Sequence, residues 1–171
     1  MFNVESLTLL LLLIKVGAVI EIIKNELPCR CNKVLRLKND TRTVLCVDDD
    51  PDDREMVCTV IKDIDPSFTV IHAENGLEAH NILKKAKVTG QFPCLVILDI
   101  NMPIMDGKET LVKIKEDTTL SKIPVAMFST SSNEADKKFF SQYGVELVTK
   151  PNNINSIVNE VGKLLSYCST D

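Results

Sequence analysis

The sequence predicts an α/β fold, a doubly wound, parallel five-stranded sheet built from five strand–helix pairs. Three observations carry this expectation. Short apolar runs alternate with helix-patterned segments from residue 43 to residue 167. Such alternation implies a parallel sheet with helices on both faces. The runs "TVLCV" (43–47), "CLVIL" (94–98) and "PVAMF" (124–128) are apolar almost throughout, as strands covered on both sides must be. The helix-patterned segments also open on good capping residues: Asp50 before Pro51, Asn75, and Ser131 paired with Glu134.

Taken in order, the first strand runs into "DDDPDD". Residues 51–64 then read as a helix, with Met56, Val57, Val60, Ile61 and Ile64 at helical spacing. "FTVIHA" (68–73) is the second strand and 75–87 the second helix. After the third strand, residues 107–117 form the third helix, with Leu111, Val112 and Ile114 inward. The fourth helix spans 131–144 and closes on Gly144. Within it, Ala135, Phe139 and Tyr143 recur every fourth residue and read as core, which leaves Phe140 as a candidate exposed aromatic. "VELVT" (145–149) is the fifth strand. The fifth helix covers 153–167, with Ile154, Ile157, Val158, Val161, Leu164 and Leu165 on one side.

At 171 residues the chain suits one domain plus an extension. A domain of that size needs no disulfide staples. A net charge of -4 and the lack of a basic stripe argue against a nucleic-acid surface. The six cysteines show no zinc-ligand spacing. Cys46 and Cys94, in or beside apolar strands, read as small buried hydrophobes in a reducing cytosol, and Cys29 and Cys31 form a lone C-x-C that points only weakly to a metal. Residues 7–23 are mostly apolar, but Lys15 stands at their centre. A charge there costs about 2.5–3.5 kcal/mol on insertion. Three readings stay open: a weak membrane anchor, a helix packed on this protein or a partner, or upstream sequence added by a misplaced start. The expected organisation is an apolar extension over 1–40, a domain over 41–168 and a tail over 169–171.

A doubly wound sheet binds its ligand at the carboxyl ends of the strands, at the topological switch point. Reading off each end collects the chemistry. The first strand delivers Asp48, Asp49 and Asp50, and the third delivers Asp99. The fourth delivers Ser129 and Thr130, and the fifth delivers Lys150 followed by Pro151. If the first and third strands are neighbours, their ends lie about 4.8 Å apart, so several carboxylates share one pocket. Like charges oppose each other's ionisation, and a hard divalent cation removes the conflict. Mg²⁺ takes oxygen ligands and binds through one or two carboxylates. A carboxylate beside Mg²⁺, a lysine and a hydroxyl can accept a phosphoryl group.

The stretches "VLCVDDDPDD", "LVILDINMPIMDG", "IPVAMFSTSS" and "VTKP" resemble, in order and spacing, a response-regulator receiver domain of two-component signalling. The resemblance covers about 43–168. It implies a flavodoxin-like sheet of order 2-1-3-4-5. It implies Asp99 as phosphoacceptor, and Asp48, Asp49, Asp99 and the Asn101 backbone carbonyl as Mg²⁺ ligands, with Mn²⁺ as the alternative ion. Lys150 would pair with Asp99 and then with the phosphoryl group, and Ser129 would swing toward it. The Lys150–Pro151 peptide would be cis, and Gly107 would permit the turn into the third helix. A sensor histidine kinase or histidine phosphotransfer protein would be the donor. The face of the fourth helix, fifth strand and fifth helix would bind an unknown downstream protein. The expected location is the cytoplasm, with an inner-membrane tether only through residues 7–23.

Two positions depart from the family's pattern. Leu147 stands where an aromatic usually reports the switch, so output must use backbone and helix shifts. Thr130 follows the switching hydroxyl where alanine or glycine is usual, which would narrow access and slow turnover. Asp50 and Asp106 read as structural. His72 and His80 lie away from the strand ends and read as ordinary surface or core residues. Two other functions compete. A dehalogenase-like phosphatase also uses an aspartate nucleophile, but it wants an acid where Asn101 stands. An unphosphorylated scaffold would not need an intact site. No output domain follows the last helix, so the expected output is a binding event.

Overall fold

The computed structural model describes residues 42–131 and 133–168. Five strands alternate with five helices. The order is β1 (Thr43–Val47), α1 (Pro51–Ile64), β2 (Thr69–Ala73), α2 (Gly76–Thr89) and β3 (Leu95–Leu98), then α3 (Gly107–Glu116), β4 (Val125–Ser129), α4 (Glu134–Ser141), β5 (Leu147–Thr149) and α5 (Ile154–Leu165). Short 3₁₀ turns lie at Leu120–Lys122 and Ser166–Cys168. All strand pairs are parallel, in the order β2-β1-β3-β4-β5. The chain therefore reverses direction between β1 and β3, and that crevice is the switch point.

Alternation along each strand divides the core into two layers. Leu45, Val47, Val96, Leu98 and Met127 face α2, α3 and α4, where Leu83, Leu111, Ile114 and Phe140 meet them. Val44, Cys46, Leu95, Ile97, Ala126 and Phe128 face α1 and α5, against Val57, Ile61, Val161 and Leu164. β3 and β4 are buried at every residue, whereas the edge strand β2 is largely exposed. The caps explain where helices begin. Asp50 accepts from the Asp52 and Asp53 amides, Asn75 from Glu78, Asp106 from Glu109 and Asn153 from Ser156.

Several expectations fail, each for a physical reason. α4 opens on Asn133, not on a Ser131–Glu134 capping box, because Asn133 accepts the Asp136 amide at 2.8 Å. Ser131 instead donates its hydroxyl to the Asp136 carboxylate at 3.0 Å. That start turns Asp136 and Phe140, four residues apart, inward. Phe140 is therefore fully buried, Phe139 and Tyr143 are half-buried, and Ala135 is exposed. A buried carboxylate needs a counter-charge, and Lys108 supplies it at 2.5 Å. On α5, Ile157, Val161, Leu164 and Leu165 are buried, but Ile154 and Val158 lie toward solvent. Ile64 on α1 is likewise exposed.

The cysteines also depart from expectation. Cys94, just before β3, is disulfide-bonded to Cys168, with Cα atoms 5.0 Å apart. The pair lies 74 positions apart in sequence, and the packing of the turn after α5 beside the start of β3 brings them together. Cys46 and Cys58 remain free thiols, and burial pushes the Cys46 thiol up to about 12. No described peptide bond is cis, so Lys150–Pro151 is trans, the form that an X–Pro amide prefers by about 0.5–1 kcal/mol. Among the described residues no helix is long and apolar enough to cross a membrane. The expectations for residues 1–40 and 169–171 lie outside the described residues.

Candidate functional site

Parallel pairing places the first two acids. Val47 of β1 registers with Leu98 of β3. The ladder then runs one residue further on each strand: the Asp48 amide donates to Ala73 and the Asp99 amide to Val47. Asp48 and Asp99 thus leave neighbouring strands side by side at the switch point, and both are buried. Next to them, the Lys150 amide donates to the Ser129 carbonyl at 2.9 Å, which fixes the end of β5 against β4.

Lys150 is the hub. Its ammonium lies 2.6 Å from Asp48 Oδ2, 2.6 Å from Asp53 Oδ2 and 3.5 Å from Asp99 Oδ1. The other Asp48 oxygen accepts the Asp50 amide at 3.0 Å, and the other Asp99 oxygen accepts the Asn101 amide at 2.7 Å. Burial pushes the Asp48 carboxyl up, and the Asp99 charge adds to this, while Lys150 and the Asp50 amide pull it down. Burial alone would lower the Lys150 ammonium. Its bonds to Asp48 and Asp53 and the charges of Asp48 and Asp99 outweigh that, so it stays firmly protonated.

Carboxylate oxygens of Asp48, Asp49 and Asp99 all lie within 4.8 Å of one another. Three carboxylates, of Asp48, Asp53 and Asp99, therefore face a single ammonium, with the Asp49 carboxylate gathered beside two of them. The donor set is oxygen only, with two buried members and one exposed, which suits a hard divalent cation that keeps some of its water. The residues fit such an ion on charge, donor type and spacing.

Ser129 is fully buried at the end of β4, and its hydroxyl accepts the Ser131 amide at 3.4 Å. Thr130 beside it is exposed, Pro151 is half-buried, and Leu147 is half-buried against the α3–α4 layer. Gly107 matters for close approach rather than for an unusual turn. A Cβ there would sit 2.1 Å from the Asp99 carbonyl oxygen, and the Gly107 amide donates to Ile100 at 2.9 Å. Asp50 caps α1, as expected, and Asp106, expected only to be structural, caps α3. His72 is exposed on β2 and His80 is half-buried on α2, where burial lowers its pKa.

Three contributors escape a reading of motifs. Asp53 reaches Lys150 from the first turn of α1; only its place three residues after the Asp50 cap could have signalled this. Arg54 donates to the Asp48 carbonyl at 2.6 Å and pairs with Glu74 at 3.5 Å. Ile104, in the loop after Asp99, has φ 70 and is highly exposed. It is the middle of a tight turn in which the Met105 amide donates to Pro103 at 2.7 Å. A β-branched residue in that backbone region is strained.

Aspartates and a lysine converging at the switch point of a parallel sheet define an aspartate-centred α/β module. The chain belongs to the response regulator receiver domain family, whose model matches residues 44–162. Members are signalling phosphoacceptors of two-component systems rather than classical enzymes. The response regulator Rcp1 of Synechocystis sp. is 30% identical over 137 residues, covering 75% of this chain and 90% of that protein. Response regulator Rre1 of the same organism is 34% identical over 110 residues, but the match covers only 45% of it. Among solved structures, the phosphorylated cyanobacterial phytochrome response regulator RcpA aligns with a TM-score of 0.67 at 29% identity, over 74% of this chain and 92% of that one. The Mn²⁺-bound form of Rcp1 aligns at 0.65 and 30% identity, over 73% and 92%. The chemotaxis response regulator CheY4 of Vibrio cholerae aligns at 0.61 and 26% identity, over 73% and 99%.

Proposed function

We propose that this chain is a response regulator whose Asp99 accepts a phosphoryl group from a phosphohistidine donor. The donor is a sensor histidine kinase or a histidine phosphotransfer protein. The observation that carries the reading is the convergence of Asp48, Asp49 and Asp99 oxygens within 4.8 Å, with the Lys150 ammonium 2.6 Å from Asp48 and 3.5 Å from Asp99.

Asp48, Asp49, Asp99 and the Asn101 carbonyl would hold Mg²⁺, with Mn²⁺ as the alternative ion. When bound, the ion supplies positive charge that offsets the phosphoryl oxygens. An Asp99 carboxylate oxygen forms the new bond to phosphorus. The phosphorus–nitrogen bond of the donor imidazole breaks, and its electron pair stays on the ring nitrogen. Lys150, kept protonated, neutralises a phosphoryl oxygen. The same groups assist the later attack of water on phosphorus, which breaks the Asp99 oxygen–phosphorus bond, releases inorganic phosphate and restores the carboxylate, so the module promotes its own phosphorylation and dephosphorylation.

Ser129 then donates its hydroxyl to the phosphoryl group and gives up the Ser131 amide it now accepts. Ser131 is bonded to Asp136 at the start of α4, so the displacement reaches the face of α4, β5 and α5, where a downstream protein binds. Leu147 has no ring to rotate, so backbone and helix shifts carry the signal. The receiver unit covers 41–168, after an extension over 1–40 and before a tail over 169–171. Its workplace is the cytoplasm, tethered to the inner membrane only if residues 7–23 anchor it.

Calorimetric titration with Mg²⁺ tests the site. Wild type is expected to take up the ion and Asp49→Ala to lose that uptake. Undiminished uptake by Asp49→Ala overturns the ligand assignment.

A further inference from the structure

We propose that Asp53 is a positioning residue for phosphoryl transfer: it holds the Lys150 ammonium in place when Asp48 turns to the metal ion. The inference rests on the reading of Asp99 as phosphoacceptor.

An ammonium has three N–H donors. In Lys150 two are committed to short bonds, to Asp48 and to Asp53, both at 2.6 Å. Asp99 Oδ1, at 3.5 Å, is beyond a good hydrogen bond. Both Asp48 oxygens are already engaged, one by the Asp50 amide and one by Lys150. Asp48 is also a member of the cation-ready cluster, and Asp53 is not. When a divalent ion draws on Asp48, its bond to Lys150 weakens. Asp53 is then the one carboxylate among these partners free to keep hold of the lysine.

The mounting suits that role. Asp50 caps α1 and accepts the amides of Asp52 and Asp53, so the backbone that carries Asp53 is fixed. The Lys150 backbone is fixed by its bond to Ser129. Between these two anchors lies a flexible four-carbon stem, and a charge-assisted bond at its tip limits where the ammonium can go. Misplacing a catalytic group by about 1 Å can cost up to about a hundredfold in rate. Asp53 thus acts through Lys150, never touching the transferred group.

The test is labelling of Asp99 by acetyl phosphate in saturating Mg²⁺, with the rate resolved into a maximal rate and a donor KM. Asp53→Ala is expected to lower the maximal rate about five- to tenfold, with donor KM and Mg²⁺ Kd each within about twofold. Asp53→Glu is expected to recover part of the loss, a rescue that a mere strut between α1 and β5 would not provide. Asp53→Asn keeps the shape and an acceptor oxygen but not the charge, and is expected to fall between. If Asp53→Ala fails to fold, Asp53→Asn carries the test through its own loss of maximal rate. Wild-type rates in these variants, or losses that merely follow Mg²⁺ affinity, overturn the proposal while the phosphoacceptor reading stands. A wild-type protein that takes no label on Asp99 overturns the phosphoacceptor reading itself.

Discussion

Gly107→Ala and Gly162→Ala should change stability in opposite directions. A Cβ at position 107 would lie 2.1 Å from the Asp99 carbonyl oxygen, 2.9 Å from Ile100 Cα and 3.0 Å from Asp99 C. All three are backbone atoms, so no side chain can rotate away. The end of β3 and the start of α3 must move apart by roughly 1 Å, a strain of the size that costs about 1–3 kcal/mol. The Gly107 amide bond to Ile100 at 2.9 Å stretches as well, adding about 1 kcal/mol. The expected loss is about 2–4 kcal/mol. At position 162, inside α5, the added Cβ meets only Ile64 Cδ1 at 3.8 Å. There alanine removes the entropy cost of a helical glycine and should stabilise by about 0.5–1 kcal/mol. Urea denaturation followed by far-UV circular dichroism measures both, with unchanged slopes licensing the comparison. Gly107→Ala within about 0.5 kcal/mol of wild type would refute the close-approach argument. Because the shift falls on the Asp99 loop, labelling of Asp99 should slow in the same variant.

Phe140→Ala should cost about 3–5 kcal/mol as a core truncation, while Ala135→Ser should stay within about 0.5 kcal/mol; chemical denaturation giving the reverse order would contradict the register of α4. Lys87 and the Leu120 and Thr119 amides hold the Asp117 carboxyl down at about 2. Its contribution to stability is whole above about pH 4, the unfolded value, and is lost as pH falls through about 2. Wild type and Asp117→Asn should therefore converge in denaturation midpoint as the buffer is acidified, and a gap that persists to the lowest pH would contradict this. Thr130→Ala should shorten the lifetime of the phosphorylated form by widening access to it, by about two- to fivefold; an unchanged decay of base-labile phosphate would end that idea.

Most of the fold was legible because each strand and helix states its own period. The apolar runs of β1, β3 and β4 and the caps at Asp50 and Asn75 needed no tertiary knowledge. The convergence of Asp48, Asp99, Ser129 and Lys150 followed from one rule about strand ends. What escaped was decided between elements. Phe140 and Phe139 are adjacent, and the start of α4 at Asn133, with the Asp136–Lys108 ion pair across two helices beside it, goes with Phe140 turning inward. The Cys94–Cys168 bond joins positions whose nearness depends on how the turn after α5 packs. Asp53 looks like an ordinary first-turn acid until β5 brings Lys150 to it. The trans Lys150–Pro151 peptide corrects an expectation that came from the resemblance rather than from these residues.

On the proposed reading, carboxylates gathered at the β1–β3 switch point let Asp99 take a phosphoryl group beside Lys150. Peptide mapping after exposure to acetyl phosphate and Mg²⁺ tests it most directly. A single base-labile phosphoryl group on the peptide that contains Asp99, absent without Mg²⁺ and absent in Asp99→Asn, is the predicted result. Label on another residue, or none on the folded wild-type protein, would contradict it.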